Sequence, residues 1–302
     1  MESGLIFDIK RYSINDGPGI RVTVFFKGCN LNCAWCHNPE SISHKIQKLY
    51  SVNRCIGCST CVEICEHDAC YLTQNGIATD RDKCVVCGRC AEVCPTTATE
   101  ISGRWETSES ILKAILKETV FMDSSEGGVT FSGGEPLLQH RFLFELLDKC
   151  GKKEIHRAVD TAGLIKTELI LKAAQKTDLF LYDLKMIDTE EHRKWTGVPN
   201  ELILYNLKKL SETGAEINIR IPLVSGINDS YKNIEESAQL IKSLSGPKKK
   251  VNLLPYHNIA QQKYKKLDLD FNQSDLEEPA KELLLEFISI FGSYGLEAAV
   301  GG

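Results

Sequence analysis

Residues 20–40 read IRVTVFFKGCNLNCAWCHNPE. Ile20–Lys27 is an apolar, β-branched run, the composition of a strand. Directly behind it come Cys29, Cys33 and Cys36, spaced C-x3-C-x2-C. A strand that hands reactive side chains to the loop at its carboxyl end is the plan of parallel α/β folds. Further strand-like runs occupy Val129–Ser132, Ile155–Asp160, Leu179–Leu184, Ile217–Pro222 and Val251–Leu254. Helical patterns separate them at Ser108–Thr119, Pro136–Cys150, Lys166–Gln175, Asn200–Thr213 and Tyr231–Leu244, and a last one runs from Ser274 to Phe291. Such alternation implies parallel strands joined by right-handed crossovers. Six strands fall short of the eight of a closed barrel, so the expected fold is α/β, an incomplete (β/α)6 barrel. An open doubly wound sheet would alternate in the same way. Its dinucleotide-binding version is not supported, because no GxGxxG follows the first strand.

Between Tyr50 and Glu100 the texture changes to short stretches rich in Cys, Asp, Thr and Gly. This predicts a small inserted unit over residues 50–100, with residues 1–49 and 101–302 forming the barrel. The insertion follows the first strand, on the side where such folds keep their chemistry. The whole chain has 302 residues and a formal charge of −5, which argues against nucleic acid, whose binding rests on clustered Lys and Arg. The opening MESGLIFDIKRYS lacks a basic region followed by an apolar run. No stretch reaches about 18 uninterrupted apolar residues, and even LLLEFISIF carries Glu286. A cytoplasmic protein with no membrane association is expected. The run Lys248–Lys250 reads as a solvated loop.

Twelve of the 13 cysteines lie between Cys29 and Cys94. In a reducing compartment that density reads as metal or cluster ligation rather than disulfides. Cys55, Cys58, Cys61 and Cys65 are spaced C-x2-C-x2-C-x3-C, and Cys84, Cys87, Cys90 and Cys94 repeat the run. Such a run gives three thiolates to one cubane and its fourth to the neighbouring cubane. Cys55, Cys58, Cys61 and Cys94 are therefore expected on one 4Fe–4S cluster, and Cys84, Cys87, Cys90 and Cys65 on the other. Zinc modules usually set two Cys pairs a dozen or more residues apart, unlike this crowding. With Cys29, Cys33 and Cys36 on a third cubane, twelve positions need filling and the motifs supply eleven. One iron is left open, the mark of a catalytic rather than a structural centre. Cys70 reads as a small buried residue or, less simply, as a twelfth ligand. Cys150 follows Leu143 and Leu146 on one helix face and reads as core.

CNLNCAWC with HNPE behind it, DGPGIR ahead of it, and SGGEP at Ser132–Pro136 resemble the radical S-adenosylmethionine (SAM) superfamily. From Leu5 onward the chain resembles the activating enzymes of glycyl radical enzymes, in the subgroup with a ferredoxin-like insert carrying two clusters. The resemblance implies that Cys29, Cys33 and Cys36 hold the cluster whose open iron chelates the amine and carboxylate of SAM. Reductive cleavage then gives methionine and a 5′-deoxyadenosyl radical, which takes a hydrogen atom from a glycine in a C-terminal loop of a partner enzyme. It further implies cofactor contacts from Trp35, Cys36, His37 and Asn38, from Gly133, Gly134 and Glu135, and from Asp160 in DTAG. There Ala162 stands where the family often has Asn. Asp183, Leu184 and Lys185 in YDLK, Arg220 in INIRIP and His257 in LLPYHN complete the implied set, with Lys185 assigned a catalytic part. A monovalent cation near Asp160 and Asp183 and an external low-potential donor, such as a flavodoxin or a ferredoxin, also follow. The two insert clusters suit electron relay.

Two other readings compete. A ferredoxin-type carrier explains the eight insert cysteines but neither C-x3-C-x2-C nor the barrel-sized remainder. A radical SAM enzyme acting on a peptide or RNA shares the core, yet the acidic balance opposes RNA.

Overall fold

The computed structural model describes residues 1–269 and 276–301. Strands β1 (Ser3–Ser13) and β2 (Arg21–Phe26) open the chain as an antiparallel pair. Four short strands follow, β3 (Gln47–Tyr50), β4 (Cys70–Thr73), β5 (Gly76–Thr79) and β6 (Thr99–Ser102), and then β7 (Arg104–Thr107). The remaining strands are β8 (Gly128–Gly133), β9 (Arg157–Thr161), β10 (Leu179–Asp183), β11 (Ile217–Leu223), β12 (Lys250–Pro255) and β13 (Glu297–Val300). Two single-turn helices, α1 (Thr60–Glu63) and α2 (Arg89–Glu92), lie in the Cys-rich segment. After them come α3 (Ser108–Leu116), α4 (Thr119–Ser125), α5 (His140–Gly151), α6 (Thr167–Ala174) and α7 (Thr189–Thr196). The last four are α8 (Glu201–Glu212), α9 (Tyr231–Ser243), α10 (Gln261–Lys266) and α11 (Lys281–Ser293).

Nine strands form one sheet in the order β13-β12-β11-β10-β9-β8-β2-β1-β7. Every pair from β2 to β13 is parallel, while β1 pairs antiparallel with β2 and β7. Each new parallel strand is laid beside the previous one without reversal. A doubly wound sheet reverses partway, so that alternative is set aside. All six expected strands are present in the expected succession. Three were not foreseen in the sequence. Strand β7 is an edge with residues mostly exposed, and β13 is a four-residue edge, so neither carries a buried apolar face. Strand β1 is buried only at Gly4–Ile6 and at Ser13 and is otherwise largely solvent-facing.

The crossover helices bury one stripe each against the sheet. In α5 that stripe is Phe142, Leu143, Leu146, Leu147 and Cys150, at helical spacing. Cys150 is fully buried there, as its periodicity predicted. Strand β11 alternates cleanly: Ile217, Ile219, Ile221 and Leu223 are buried, and Asn218, Arg220 and Pro222 face the other way. The apolar face joins the main core with Phe131, Phe180, Leu253 and Phe287. The polar face is left for the site. The expected helix start at Ser274 lies outside the described residues, and α11 begins only at Lys281. The lysine run departs from expectation: Lys249 is buried, its Nζ donating to the carbonyls of Ser245 and Pro247.

Strand β3 pairs with β6, so residues 47–50 and 99–102 meet antiparallel and close off the Cys-rich segment between them. Strands β4 and β5 make a second small sheet. A separate apolar cluster forms inside the segment from Cys61, Cys70, Ile77 and Cys90. Among the described residues no helix is long and apolar enough to cross a membrane.

Candidate functional site

One open cavity lies at the carboxyl ends of the parallel strands, lined among others by Cys29, Cys33, Cys36, Gly133, Gly134 and Asp160. The carboxyl ends are where such sheets keep their chemistry. Asp183, Lys185 and Arg220 line it too, as do Trp35, His37 and Asn38.

The loop behind β2 is held by side chains, with the Tyr264 hydroxyl donating to Cys36 O at 3.2 Å and Lys263 Nζ to Asn38 Oδ1 at 2.7 Å, and by backbone. Asn32 N donates to Thr196 O at 2.8 Å and Ala34 N to Trp195 O at 2.9 Å, so the last turn of α7 grips the loop. Gly134 N donates to Phe26 O and Glu135 N to Gly28 O, both at 2.8 Å, tying SGGEP to the same loop. A Cβ on Gly134 would stand 2.1 Å from Gly28 O, and one on Gly133, whose φ is +113°, 2.4 Å from Phe26 O. Neither position admits a side chain. Helix α7 escaped the sequence reading because it is mostly polar. Its signal was the pattern Asp188-x-x-Glu191, and Asp188 does accept from Glu190 N and Glu191 N at 3.0 Å.

Burial governs the charges around the cavity. It pushes the Cys29 thiol up to about 11 and Cys36 up to about 12, and raises Cys33 as well. Thiolates at these positions therefore call for a cation. Among the described residues no three His, Cys, Asp or Glu side chains converge on a single ion; cubane thiolates bind separate irons and need no such convergence.

Asp160 and Asp183 face Lys185 and Arg220. Lys185 Nζ donates to Asp183 Oδ2 at 2.8 Å, and Arg220 Nη1 lies 3.4 Å from Asp160 Oδ2. Asp183 and Arg220 are register partners on β10 and β11. Ser132 Oγ donates to Asp160 Oδ2 at 2.6 Å. Burial lifts the Asp160 carboxyl to about 6, with Arg220 pulling it the other way. Burial depresses the Lys185 ammonium, but Asp183 and the neighbouring thiols outweigh that and hold it above its ordinary value. Asp183 Oδ1 and Arg220 Nε, an ion pair at 3.8 Å, and His37 Nε2 are buried without a hydrogen-bond partner among the described residues. A buried polar atom left unpaired is costly, so the cavity is built to take a polar ligand. Three thiols and these unspent polar atoms fit a three-thiolate cubane with a zwitterionic ligand beside it.

Glu135 is buried. It accepts from Thr161 Oγ1 at 2.8 Å and from Ala162 N and Leu137 N at 3.1 Å. Burial still wins and raises its carboxyl to about 7. The folded form then binds this proton more tightly than the unfolded form. The stability it confers is full below about 4.5 and is lost as pH rises through about 7. In iron-free protein, Glu135→Gln should remove about 3 kcal/mol of the stability that wild type loses between pH 4.5 and 8. Urea unfolding at both ends of that range measures it; an unchanged pH slope would refute the assignment.

Three expected contacts lie outside the cavity lining, the first being Glu135, whose carboxylate is spent on Thr161, Ala162 and Leu137. His257 is exposed and outside the cavity lining; it stacks on His37 with ring centroids 4.2 Å apart. Its neighbour Tyr256 lines the cavity instead, on the same strand face as Leu254. The period of two could have found it. The Leu184 side chain belongs to the main core, and only its backbone N–H reaches the site strands, donating to Arg220 O. Asp16, from DGPGIR, lines the cavity unforeseen. Arg21 from the same motif is wholly buried and braces that loop, donating to Thr130 Oγ1, Val129 O and Pro18 O.

Inside the Cys-rich segment two further small cavities lie side by side. Cys55, Cys58, Cys61 and Cys94 surround one, and Cys65, Cys84, Cys87 and Cys90 the other. The cysteines around each cavity are the same groups of four that the repeated spacing assigns to one cluster each. Cys70, buried, touches the second cavity.

The Radical SAM superfamily model matches residues 23–241. The chain is 45% identical over 301 residues to the trans-4-hydroxy-L-proline dehydratase activating enzyme of Clostridioides difficile, covering 99% of each chain. It is 42% identical to the choline trimethylamine-lyase activating enzyme of Oleidesulfovibrio alaskensis, covering 88% of each. Among solved structures it is similar to a domain of a pyruvate-formate lyase-activating enzyme from Bacteroides vulgatus. That likeness has a TM-score of 0.50 at 41% identity, over 58% of this chain and 99% of that one.

Proposed function

The chain belongs to the radical SAM superfamily and, within it, to the activating enzymes of glycyl radical enzymes, and from this premise we propose how its residues divide the work. Cys29, Cys33 and Cys36 would hold a 4Fe–4S cluster, which would supply the electron for cleaving SAM to methionine and a 5′-deoxyadenosyl radical that abstracts a hydrogen atom from a glycine of the partner. The observation that carries this reading is the placement of those three thiols, Gly133–Gly134 and the Asp160, Asp183, Lys185, Arg220 quartet around one cavity.

Gly133 and Gly134 line the cavity with bare backbone, packed so tightly on Phe26 and Gly28 that neither takes a Cβ. Lys185 and Arg220 supply positive charge for a carboxylate, and Asp160 and Asp183 supply negative charge for an ammonium. Trp35 packs with Met186, Val224 and Tyr256 as an apolar wall beside the thiols, suited to a flat nucleoside base. A monovalent cation beside Asp160 and Asp183 has less support, because Lys185 and Arg220 already balance both carboxylates.

Residues 50–100 form a ferredoxin-like insert with two more 4Fe–4S clusters, on Cys55, Cys58, Cys61 and Cys94 and on Cys65, Cys84, Cys87 and Cys90. The support is the pair of cavities ringed by these sets. Residues 1–49 and 101–302 make the incomplete (β/α)6 barrel, for which the sequential winding of the sheet argues. The insert clusters relay electrons from an external flavodoxin or ferredoxin, and the protein works in the reducing cytoplasm.

The test is anaerobic incubation of the reconstituted enzyme with SAM, a low-potential reductant and a glycyl radical enzyme encoded beside it. A glycyl doublet on the partner by electron paramagnetic resonance, with matching 5′-deoxyadenosine, is expected. Release of 5′-deoxyadenosine with no glycyl signal from any neighbouring candidate would overturn the target, and no release would overturn the reading.

A further inference from the structure

Strand β3 presents two polar side chains two residues apart, hence on one face, to two different cavities. Lys48 lines the cavity of Cys65, Cys84, Cys87 and Cys90, and Tyr50 lines the cavity of Cys55, Cys58, Cys61 and Cys94. Lys48 is 7% exposed, far below what is usual for lysine. Its Nζ donates to Cys70 Sγ at 3.0 Å and to Thr79 Oγ1 at 2.8 Å. Cys70 is 5% exposed and lines the same cavity. The Tyr50 hydroxyl accepts from Ile77 N at 2.9 Å and carries no charge. At the position matching Cys70, five residues beyond the fourth cysteine of its run, the other cavity has Thr99.

The repeated cysteine runs are thus chemically alike, and their surroundings are not. Both cavities have one exposed cysteine, Cys58 and Cys87, so an exposed thiol does not separate them. A buried ammonium does. A cubane with four thiolates is an anion, and one-electron reduction adds a further negative charge. A fixed cation nearby favours the reduced form, and net charge and hydrogen bonds to sulfur set such potentials. No side chain among the described residues forms an ion pair with Lys48 that would cancel its charge within the cavity.

We propose that Lys48, held in place by Cys70 and Thr79, makes the two insert clusters inequivalent by raising the reduction potential of the one on Cys65, Cys84, Cys87 and Cys90. This rests on the two-cluster reading of the insert. Lys48 is a tuning residue acting on a cluster through space, and Cys70 is its support rather than a twelfth ligand. The uneven pair gives electrons resident on the insert a preferred station beside Lys48.

The test is a potentiometric titration of the reconstituted full chain followed by electron paramagnetic resonance, in wild type, Lys48→Met and Lys48→Arg. Lys48→Met should lower one insert midpoint so that, at a fixed poise, its reduced-to-oxidised ratio falls about tenfold, which is about 59 mV for one electron. Lys48→Arg should keep it near wild type. The midpoint that moves should be the one missing in Cys87→Ala and still present in Cys58→Ala. Lys48→Gln, which keeps a hydrogen-bond donor but not the charge, is read in place of Lys48→Met if that variant loses iron. An unmoved midpoint in the uncharged variant, or equal movement of both, overturns the proposal. Wild-type protein with iron for a single cluster would instead overturn the two-cluster reading beneath it.

Discussion

Cys33→Ala is expected to lose about a third of the bound iron and all measurable formation of 5′-deoxyadenosine, while the chain stays folded. The sulfur is the only part of Cys33 that the site needs. The loop on either side is fixed by the backbone N–H groups of Asn32 and Ala34 on the carbonyls of α7, and alanine leaves both bonds in place. On the proposed ligation, removing the thiol would leave two ligands for a cubane that already has one iron without a cysteine. Two thiolates cannot hold the cluster on the rim of an open cavity. Cys150→Ala is the control. Burial pushes the Cys150 thiol up to about 12, but it is more deeply buried than Cys33 and lies on α5 in the main core. Its loss should cost stability on the order of 1 kcal/mol through a small cavity and leave iron and turnover intact. Iron analysis and a single-turnover assay on both variants separate the roles. A Cys33→Ala protein that keeps its full iron would defeat the assignment of the catalytic cluster.

The sequence displayed the parallel part of the fold because those strands are buried and β-branched, and their helices carry apolar residues at regular spacing. Val129–Ser132 and Leu179–Leu184 are short apolar runs whose only physical outlet is a covered strand. The edges were hidden for the opposite reason. Arg104–Thr107 pairs with Ser3–Ile6 through backbone alone and buries little, so its residue types carry no signature. At the site, legibility followed covalent spacing. Cysteine runs encode their own geometry, and the grouping of these cysteines around two cavities could be written down before any coordinates. Contacts that depend on which way one residue faces were harder. Tyr256 and His257 are neighbours, and one points into the cavity while the other turns to solvent against His37. The grip of α7 on the cysteine loop joins residues far apart in the chain through main-chain atoms, which no residue type announces.

The quartet of Asp160, Asp183, Lys185 and Arg220 poses a charge problem whose solution can be measured. Two carboxylates and two cations balance, yet all four are largely shielded from water, with side chains 9–22% exposed. Taking away one partner of such a set costs far more than the set contributes, since the charge left behind is buried and unpaired, by about 3–5 kcal/mol. Arg220→Met removes the cation facing Asp160. The carboxyl is already lifted to about 6 by burial, and without Arg220 it must rise further. Its folded form then prefers the proton more strongly than its unfolded form does. The variant should therefore be close to wild type in stability at pH 5 and lose stability as pH rises toward 8, reaching a deficit of about 3 kcal/mol. Adding Asp160→Asn removes the stranded charge and should restore most of the deficit at pH 8. It should not restore the ligand site, because Arg220 and Asp160 both line the cavity. The double variant is expected to fold, hold its iron and fail to show the spectral change that SAM induces in the reduced cluster. Urea unfolding of the iron-free proteins at pH 5 and 8 and spectra of the loaded proteins with and without SAM decide it. A pH-independent deficit in Arg220→Met would mean that the guanidinium serves by packing and not by charge. A double variant that responds to SAM as wild type does would move the ligand away from these two strands.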